Sequence, residues 1–191
     1  MVDQLEQEYA GTNVVFVDHD VDDDIAGRRE RWWLGYGAGG SVYLPLVMVD
    51  SGHQVTNGTE DFHTVYSSMV DTARQRPAAA RMTVSTAHDG NVLHFDVELT
   101  NTSGTVLSST NNAALTALVF GGPGNGPDGR RVVASASLPI ENLADGDTRT
   151  FTLEVTADDI SWNDIRWVVI ADFQPDGPDS PFDALQAAHG P

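Results

Sequence analysis

The pattern of hydrophobic and polar positions changes its period once along the chain, near residue 77. In the stretch 60–74, apolar side chains recur every three to four positions, which is the period of an amphipathic helix. Between residues 93 and 99, apolar and polar side chains alternate, which is the period of a half-buried strand. This change of period predicts two domains, at 1–77 and 78–191.

The stretch 60–74 predicts the longest helix of the first domain. Phe62 and Met69 belong to its single apolar face, because they lie two helical turns apart. Thr59 is the expected N-cap, since a hydroxyl at that position accepts a hydrogen bond from a backbone N–H of the first turn. Pro77 follows the helix and disfavours helical backbone in the residue before it.

Two shorter helices are predicted upstream. The first begins almost at the start of the chain, and Leu5 and Tyr9 lie on its apolar stripe. The second spans 25–36 and contains the adjacent residues Trp32 and Trp33. Adjacent helical side chains do not face the same way, so we expect one tryptophan to pack inside and the other to lie near the surface.

An apolar run from Val42 to Val49 carries Pro45 near its start. Proline cannot donate a hydrogen bond to a sheet, so the strand is expected to begin at Leu44 or Pro45. Further upstream, residues 13–18 form a short apolar stretch that ends in acidic residues and predicts another strand.

This order of elements resembles the second half of a thioredoxin fold. The end of a helix, the strand at 13–18, the tryptophan-containing helix, the strand that carries Pro45, a hairpin through Gly52 and a closing helix follow one another as in that family. The resemblance covers roughly residues 1–76 and implies that the Leu44–Pro45 bond is cis. The family's Cys-x-x-Cys dithiol is absent, because the chain contains no cysteine.

A thioredoxin fold has one more strand between the two strands of this half. A sheet without it would leave two rows of unpaired backbone groups, which is costly when they are buried. Three explanations stay open: Met1 is an internal methionine of a longer gene product, another strand fills the gap, or the sheet is rearranged.

The second domain is predicted to be a two-sheet sandwich of immunoglobulin type. Its strands are expected at 80–87, 92–100, 113–121, 131–138, 150–155 and 165–173, and residues 183–188 predict a last strand or a short helix. The segments VELTNTSG (97–104) and LADGD (143–147) resemble the bacterial immunoglobulin-like modules of exported proteins. The predicted fold class is therefore a partial thioredoxin-like α/β domain followed by an immunoglobulin-like β-sandwich.

Composition narrows the partners that the chain can have. Its 28 acidic residues outnumber 10 basic ones, all arginine, and the net charge of −18 repels phosphate backbones, so nucleic-acid binding is not expected. No apolar run reaches the roughly 18 residues of a membrane span. The start of the chain lacks the basic and apolar regions of a signal peptide.

The acidic stretch at 18–24 raises the question of a metal site. Asp18, Asp20 and Asp22 alternate with other residues, and oxygen ligands in such a pattern suit calcium. An EF-hand loop counted from Asp18 would require glycine and glutamate where Asp23 and Arg29 stand. The alternatives are a looser calcium site and a set of acids near the N-terminus of the next helix, where the helix dipole favours negative charge.

Two functions follow from these observations as hypotheses. The first is a non-catalytic binding or structural module of an exported or cell-surface protein, with a protein as its partner, because no catalytic residues are evident. The second is the C-terminal part of a thiol-disulfide oxidoreductase whose Cys-x-x-Cys lies upstream of Met1. The sequence leaves the oligomeric state open.

Overall fold

The computed structural model describes residues 2–20, 27–37, 41–58, 61–121, 129–157 and 165–190. Within these ranges the α-helices are α1 (Val2–Glu8), α2 (Arg28–Tyr36) and α3 (Phe62–Arg74). The strands are β1 (Val47–Val49), β2 (Gln54–Thr56), β3 (Ala80–Asp89), β4 (Val92–Asn101), β5 (Ala114–Gly121), β6 (Val132–Pro139), β7 (Thr148–Thr156), β8 (Ile165–Phe173) and β9 (Asp183–Gly190). No helix in the described part of the chain is long and apolar enough to cross a membrane.

Strands β3 to β9 form a β-sandwich of two antiparallel sheets. One sheet has the order β3-β4-β7 and the other has the order β6-β5-β8-β9. Alternate residues of β4 point inward, so Phe95 and Val97 are fully buried between the sheets, and Phe95 meets Trp167 of β8 edge-to-face at 5.5 Å. The alternation seen in the sequence thus builds the larger core of the protein.

Strand order departs in one respect from an immunoglobulin constant domain, in which the fourth strand belongs to the sheet of the first, second and fifth strands. Here the fourth strand of the sandwich, β6, pairs with β5 from Ala114 opposite Pro139 to Phe120 opposite Val132. The residues expected to form a last strand or short helix form β9, which pairs with β8.

The VELTNTSG and LADGD segments meet at one corner of the sandwich. Asn101 is fully buried there, and its amide nitrogen donates to the backbone oxygens of Thr105 at 2.7 Å and Leu143 at 3.0 Å. Its amide oxygen accepts from the backbone nitrogen of Ser103 at 3.0 Å, and the Asp145 carboxylate accepts from Gly104 at 2.9 Å. The buried Asn101 amide therefore joins the turn after β4 to the turn before β7 through a hydrogen bond between residues 42 positions apart.

The first half contains a smaller core between α1 and α3. Leu5 of α1 and Tyr9, the residue after α1, pack with Tyr66, Met69 and Val70 of α3. The expected helical face of α3 is thus buried. Its N-cap is Asp61, whose carboxylate accepts from Thr64 at 3.3 Å, whereas the expected cap Thr59 lies outside the described residues.

Two predictions about strands in the first half were wrong. Residues 13–18 form no ladder with any described residue and make a single bridge, from Asp18 to Arg131, the residue before β6. The apolar run 42–49 becomes a strand only at Val47, because its first half lies in an exposed loop. In the described part of 1–77 the one sheet is therefore the ribbon β1–β2, and the larger sheet of a thioredoxin fold is not seen there.

The segment Val14–Val17 is extended and lies between the two halves of the protein. Val14 and Phe16 pack against the helical core of α1 and α3. Val15 and Val17 pack against the outer face of the four-stranded sheet, on a cluster formed by Leu118, Phe120, Val132 and Val168. The alternation of a strand is thus used to join two apolar layers rather than to build a sheet.

Candidate functional site

The first feature of the interface between the halves is a buried ion-pair cluster around Asp172 of β8, which is fully buried on the outer face of its sheet. Arg31 of α2 binds its carboxylate with two nitrogens, Nε at 3.0 Å and Nη2 at 3.2 Å. Arg28 of α2 reaches the same carboxylate at 3.3 Å and Ser51 at 3.4 Å. A two-point guanidinium–carboxylate contact fixes both distance and angle, so it orients α2 on the sandwich.

Arg76, at the end of α3, makes the second ion-pair cluster. It binds Asp183 of β9 at 2.6 Å and Asp50, next to β1, at 3.1 Å. The hydrogen bond to Asp183 is the main cause of the raised pKa of Arg76. This arginine therefore joins β1, α3 and the last strand of the sandwich at one point.

A third cluster surrounds Arg130, just before β6. Its guanidinium contacts Asp3 at 2.6 Å and Glu6 at 3.0 Å on α1, and Asp18 at 3.2 Å. The hydrogen bond from Arg130 lowers the pKa of Asp3. Glu6 also accepts from Arg166 of β8 at 3.1 Å, so α1 is held both to β8 and to the segment before β6.

The residues proposed as calcium ligands are placed beside arginines instead. Asp18 is paired with Arg130, and Asp20 lies 3.3 Å from Arg131. Asp22 lies outside the described residues. Where the structure describes the chain, no group of three or more histidine, aspartate or glutamate side chains could hold a metal ion. The calcium site therefore stays a prediction.

An exposed apolar loop precedes β1. Val42 is 38 % exposed, Tyr43 is 64 % exposed and Leu44 is 66 % exposed, three consecutive residues that a folded chain would ordinarily bury in part. The Leu44–Pro45 peptide bond that follows is cis. Contiguous apolar side chains on a protein surface mark sites of interaction. We call residues 42–44 the apolar loop.

The turn after β2 packs against the apolar loop and is hydrogen-bonded to it. Gly58 donates its backbone N–H to Tyr43 at 3.0 Å. A Cβ at position 58 would lie 2.8 Å from the Leu44 oxygen, so only glycine allows this approach. Asn57 donates to the Ser41 oxygen at 3.3 Å and to the Tyr36 hydroxyl at 2.7 Å, which ties the loop to α2.

The tryptophan pair lies on the same helix as Tyr36. Trp32 is 3 % exposed, stacks on Tyr36 at 4.7 Å and donates its indole N–H to the Thr56 oxygen at 3.0 Å. Trp33 is 44 % exposed. The expectation that one tryptophan packs and the other lies near the surface is confirmed.

Sequence reasoning identified Pro45 but missed the exposure of the three residues before it. It interpreted Val42–Val49 as an apolar run whose strand begins at Leu44 or Pro45, and the pattern alone did not show that residues 42–44 are exposed. The signals available were Pro45 itself and the glycines at 35, 37, 39 and 40, which indicate that the chain is in a connection before the strand.

Comparison with known proteins gives little further guidance. No protein-family model matches the chain, and no curated protein matches it. The ligand-binding region of serine-glutamate repeat protein A of Enterococcus faecium is similar at 15% identity and a TM-score of 0.29, over 57% of this chain and 87% of that one. A beta-glucosidase from Kluyveromyces marxianus is similar at 10% identity and a TM-score of 0.29, over 64% of this chain and 16% of that one. At such scores neither likeness carries an argument about function.

Proposed function

We propose that the protein is a non-catalytic module that binds another protein through the apolar loop. The observation that carries this proposal is the exposure of Val42, Tyr43 and Leu44 on a turn that the fold holds in place. Tyrosine and leucine supply apolar contact area, and a loop that is already ordered loses less conformational entropy on binding.

The thioredoxin-like and immunoglobulin-like resemblances of the sequence extend this proposal to the kind of protein that contains the module. A cysteine-free relative of the thioredoxin fold is supported by the order of the sequence segments in 1–77 alone, since the larger sheet of that fold is not seen in the described part of this half. The segments 97–104 and 143–147 support an immunoglobulin-like sandwich of an exported or cell-surface protein. The antiparallel β-sandwich is consistent with the second assignment. In such an arrangement the sandwich is the scaffold, and the first half presents the binding loop.

We expect the protein to show no disulfide reductase activity. The thiolate is the nucleophile in thiol–disulfide exchange, and the chain contains no cysteine. In an insulin-reduction assay with dithiothreitol, turbidity should rise at the rate of the reagent blank. Turnover clearly above that blank would contradict the non-catalytic proposal, and a cysteine-containing thioredoxin in the same assay shows that the assay works.

Photocrosslinking tests the apolar loop as the contact surface. With benzoylphenylalanine in place of Tyr43, an extract of the source cells should give one discrete adduct, because the probe retains the aromatic ring at the point of contact. The matched control carries the probe at Val133 of β6, which is 48 % exposed but lies outside the loop. The adduct should form at position 43 and not at position 133.

The partner identified in this way is then purified and its affinity is measured. Leu44→Ser should weaken binding by about 30-fold, since loss of a central apolar contact in an interface costs about 2 kcal/mol. The melting temperature should not change, because Leu44 is exposed. Equal adducts at both positions, or equal affinity of the variant, would remove the loop from the proposal.

A further inference from the structure

Strand β3 forms one edge of the three-stranded sheet. Its pairing with β4 runs from Ala80 to Asp89 without a register shift. At its beginning it lies beside β9, where Ala79 donates to the Leu185 oxygen at 2.9 Å. Beyond that point the residues Ser85–Asp89 are all exposed, so both faces of the strand reach solvent there. A long, regular and exposed edge strand is a template for pairing with another chain.

The edge strands of the other sheet have features that oppose such pairing. β6 contains a bulge at Val133 and ends in Pro139. β9 contains a bulge at Leu185. Bulges twist an edge away from a neighbour, and proline lacks the N–H that a ladder requires. The regular edge of β3 is therefore the more suitable one for a further strand.

The hydrogen-bond pattern determines which residues of β3 can bind that strand. Across the β3–β4 pair, Ala79 accepts from the backbone N–H of Thr102 at 3.0 Å. Successive residues of an antiparallel strand direct their N–H and C=O groups to opposite sides, so the odd-numbered residues of β3 face β4. The even-numbered residues, among them Val84 and Thr86, therefore direct their backbone groups to the outer edge.

We propose that β3 pairs with β3 of a second copy of this chain, in the antiparallel register that places the two Ser85 residues opposite each other. Val84 of each copy then lies opposite Thr86 of the other, and such a pair exchanges both of its backbone hydrogen bonds. The two-fold axis passes between the Ser85 residues, so both copies use the same surface. This surface is separate from the apolar loop.

Charge complementarity selects a second copy as the occupant and selects this register. Arg81 and Asp89 are both exposed, and each lies four positions from Ser85 on the same face of the strand. Arg81 of each copy therefore lies opposite Asp89 of the other, which gives two opposite-charge pairs. The net charge of −18 opposes association in other orientations. The other edge strand of this sheet, β7, has no such match, because Arg149 and Glu154 lie on opposite faces.

Sedimentation velocity tests the self-association of the full chain. At concentrations up to about 1 mM, the unmodified protein should show a monomer–dimer equilibrium. Arg81→Asp and Asp89→Arg should each weaken dimerisation about tenfold, because like charges then face each other twice in the dimer. A monomer at every concentration, or unchanged association of both variants, would overturn the proposal.

An equimolar mixture of these two variants separates the charge match from damage to the fold. In a mixed dimer, position 81 of each copy again lies opposite a residue of the other sign at position 89. The mixture should therefore dimerise about tenfold more tightly than either variant alone. A mixture that associates no better than the separate variants would contradict the proposed register.

Cysteine crosslinking locates the two-fold axis. The chain contains no cysteine, so Ser85→Cys introduces a single thiol. Opposite residues of a non-hydrogen-bonded pair have Cα atoms about 4.5 Å apart, within the roughly 4.4–6.8 Å that a disulfide spans. With oxidised glutathione as the oxidant, a disulfide-linked dimer should form at least about tenfold faster than in Thr150→Cys, an exposed site on β7.

Equal crosslinking rates at positions 85 and 150 would overturn the proposal. Leu44→Ser should crosslink through Ser85→Cys at an unchanged rate, because the apolar loop takes no part in this pairing. Failure here and failure of the proposed function are therefore distinguishable.

Discussion

Asp172→Ala is expected to reduce the free energy of unfolding by about 3–5 kcal/mol, the cost of removing one partner from a buried ion pair. Asp172 is fully buried, and three guanidinium nitrogens of Arg28 and Arg31 lie within 3.3 Å of its oxygens. Without the carboxylate, two largely buried cations lose this counter-charge in a region from which water is excluded. Urea denaturation followed by tryptophan fluorescence and circular dichroism measures the change.

The matched control for this prediction is Asp147→Ala, because it removes an exposed carboxylate in the turn before β7. Its effect should stay within about 0.5 kcal/mol, as for most surface substitutions. Since Asp172 joins α2 to the sandwich, fluorescence and circular dichroism should also cease to give coincident transitions in Asp172→Ala. A loss no greater than that of the control would show that the cluster does not hold the two halves together.

Asn101→Ala is expected to cost about 3–4 kcal/mol. The substitution removes the hydrogen bonds that the Asn101 amide donates to the backbone oxygens of Leu143 and Thr105, and it removes the acceptor of the Ser103 backbone N–H. Each of these hydrogen bonds contributes about 0.5–1.5 kcal/mol. Thermal and urea unfolding of the variant test this value, and the loss should be found in the sandwich.

The adjacent residue provides the control for Asn101. Thr102→Ala changes an exposed side chain in the same turn, and it should alter stability by no more than about 0.5 kcal/mol. Asn101→Asp keeps the size and the acceptor but replaces the donor with a charge, so it should be at least as damaging as alanine. If Asn101→Ala and Thr102→Ala are alike, the corner is stabilised by its backbone hydrogen bonds instead.

The strands of the sandwich could be predicted because each has one face toward the core. Leu93, Phe95, Val97 and Leu99 alternate with polar residues, and all four are buried in β4. The sequence of β8 contains a further signal. Its run from Trp167 to Ile170 is apolar on both faces, and such runs belong to strands that are covered on both sides. The sequence therefore already indicated that something lies on the outer face of this sheet.

What covers that face could not be predicted from local pattern. The contacts that place α2 and α1 there join residues more than 100 positions apart, such as Arg28 with Asp172 and Arg130 with Asp3. In a chain with 28 acidic residues, each arginine has many possible partners. The extended segment at 14–17 has the pattern of a sheet strand for a related reason, since such a pattern shows that two faces are apolar but not which layers they contact.

The ion-pair clusters also determine how the protein behaves toward other molecules in solution. The side chains of Arg28, Arg31 and Arg130 are 4 %, 12 % and 5 % exposed, so their positive charges are buried and paired with carboxylates inside the protein. The acidic residues outside the clusters then face solvent with few cations beside them. Two copies that approach each other therefore repel each other in most orientations. At 0.1 M salt this electrostatic repulsion extends over about 10 Å, and it extends farther at lower salt. The buried arginines thus leave a surface that favours colloidal stability and restricts close approach to partners with basic residues.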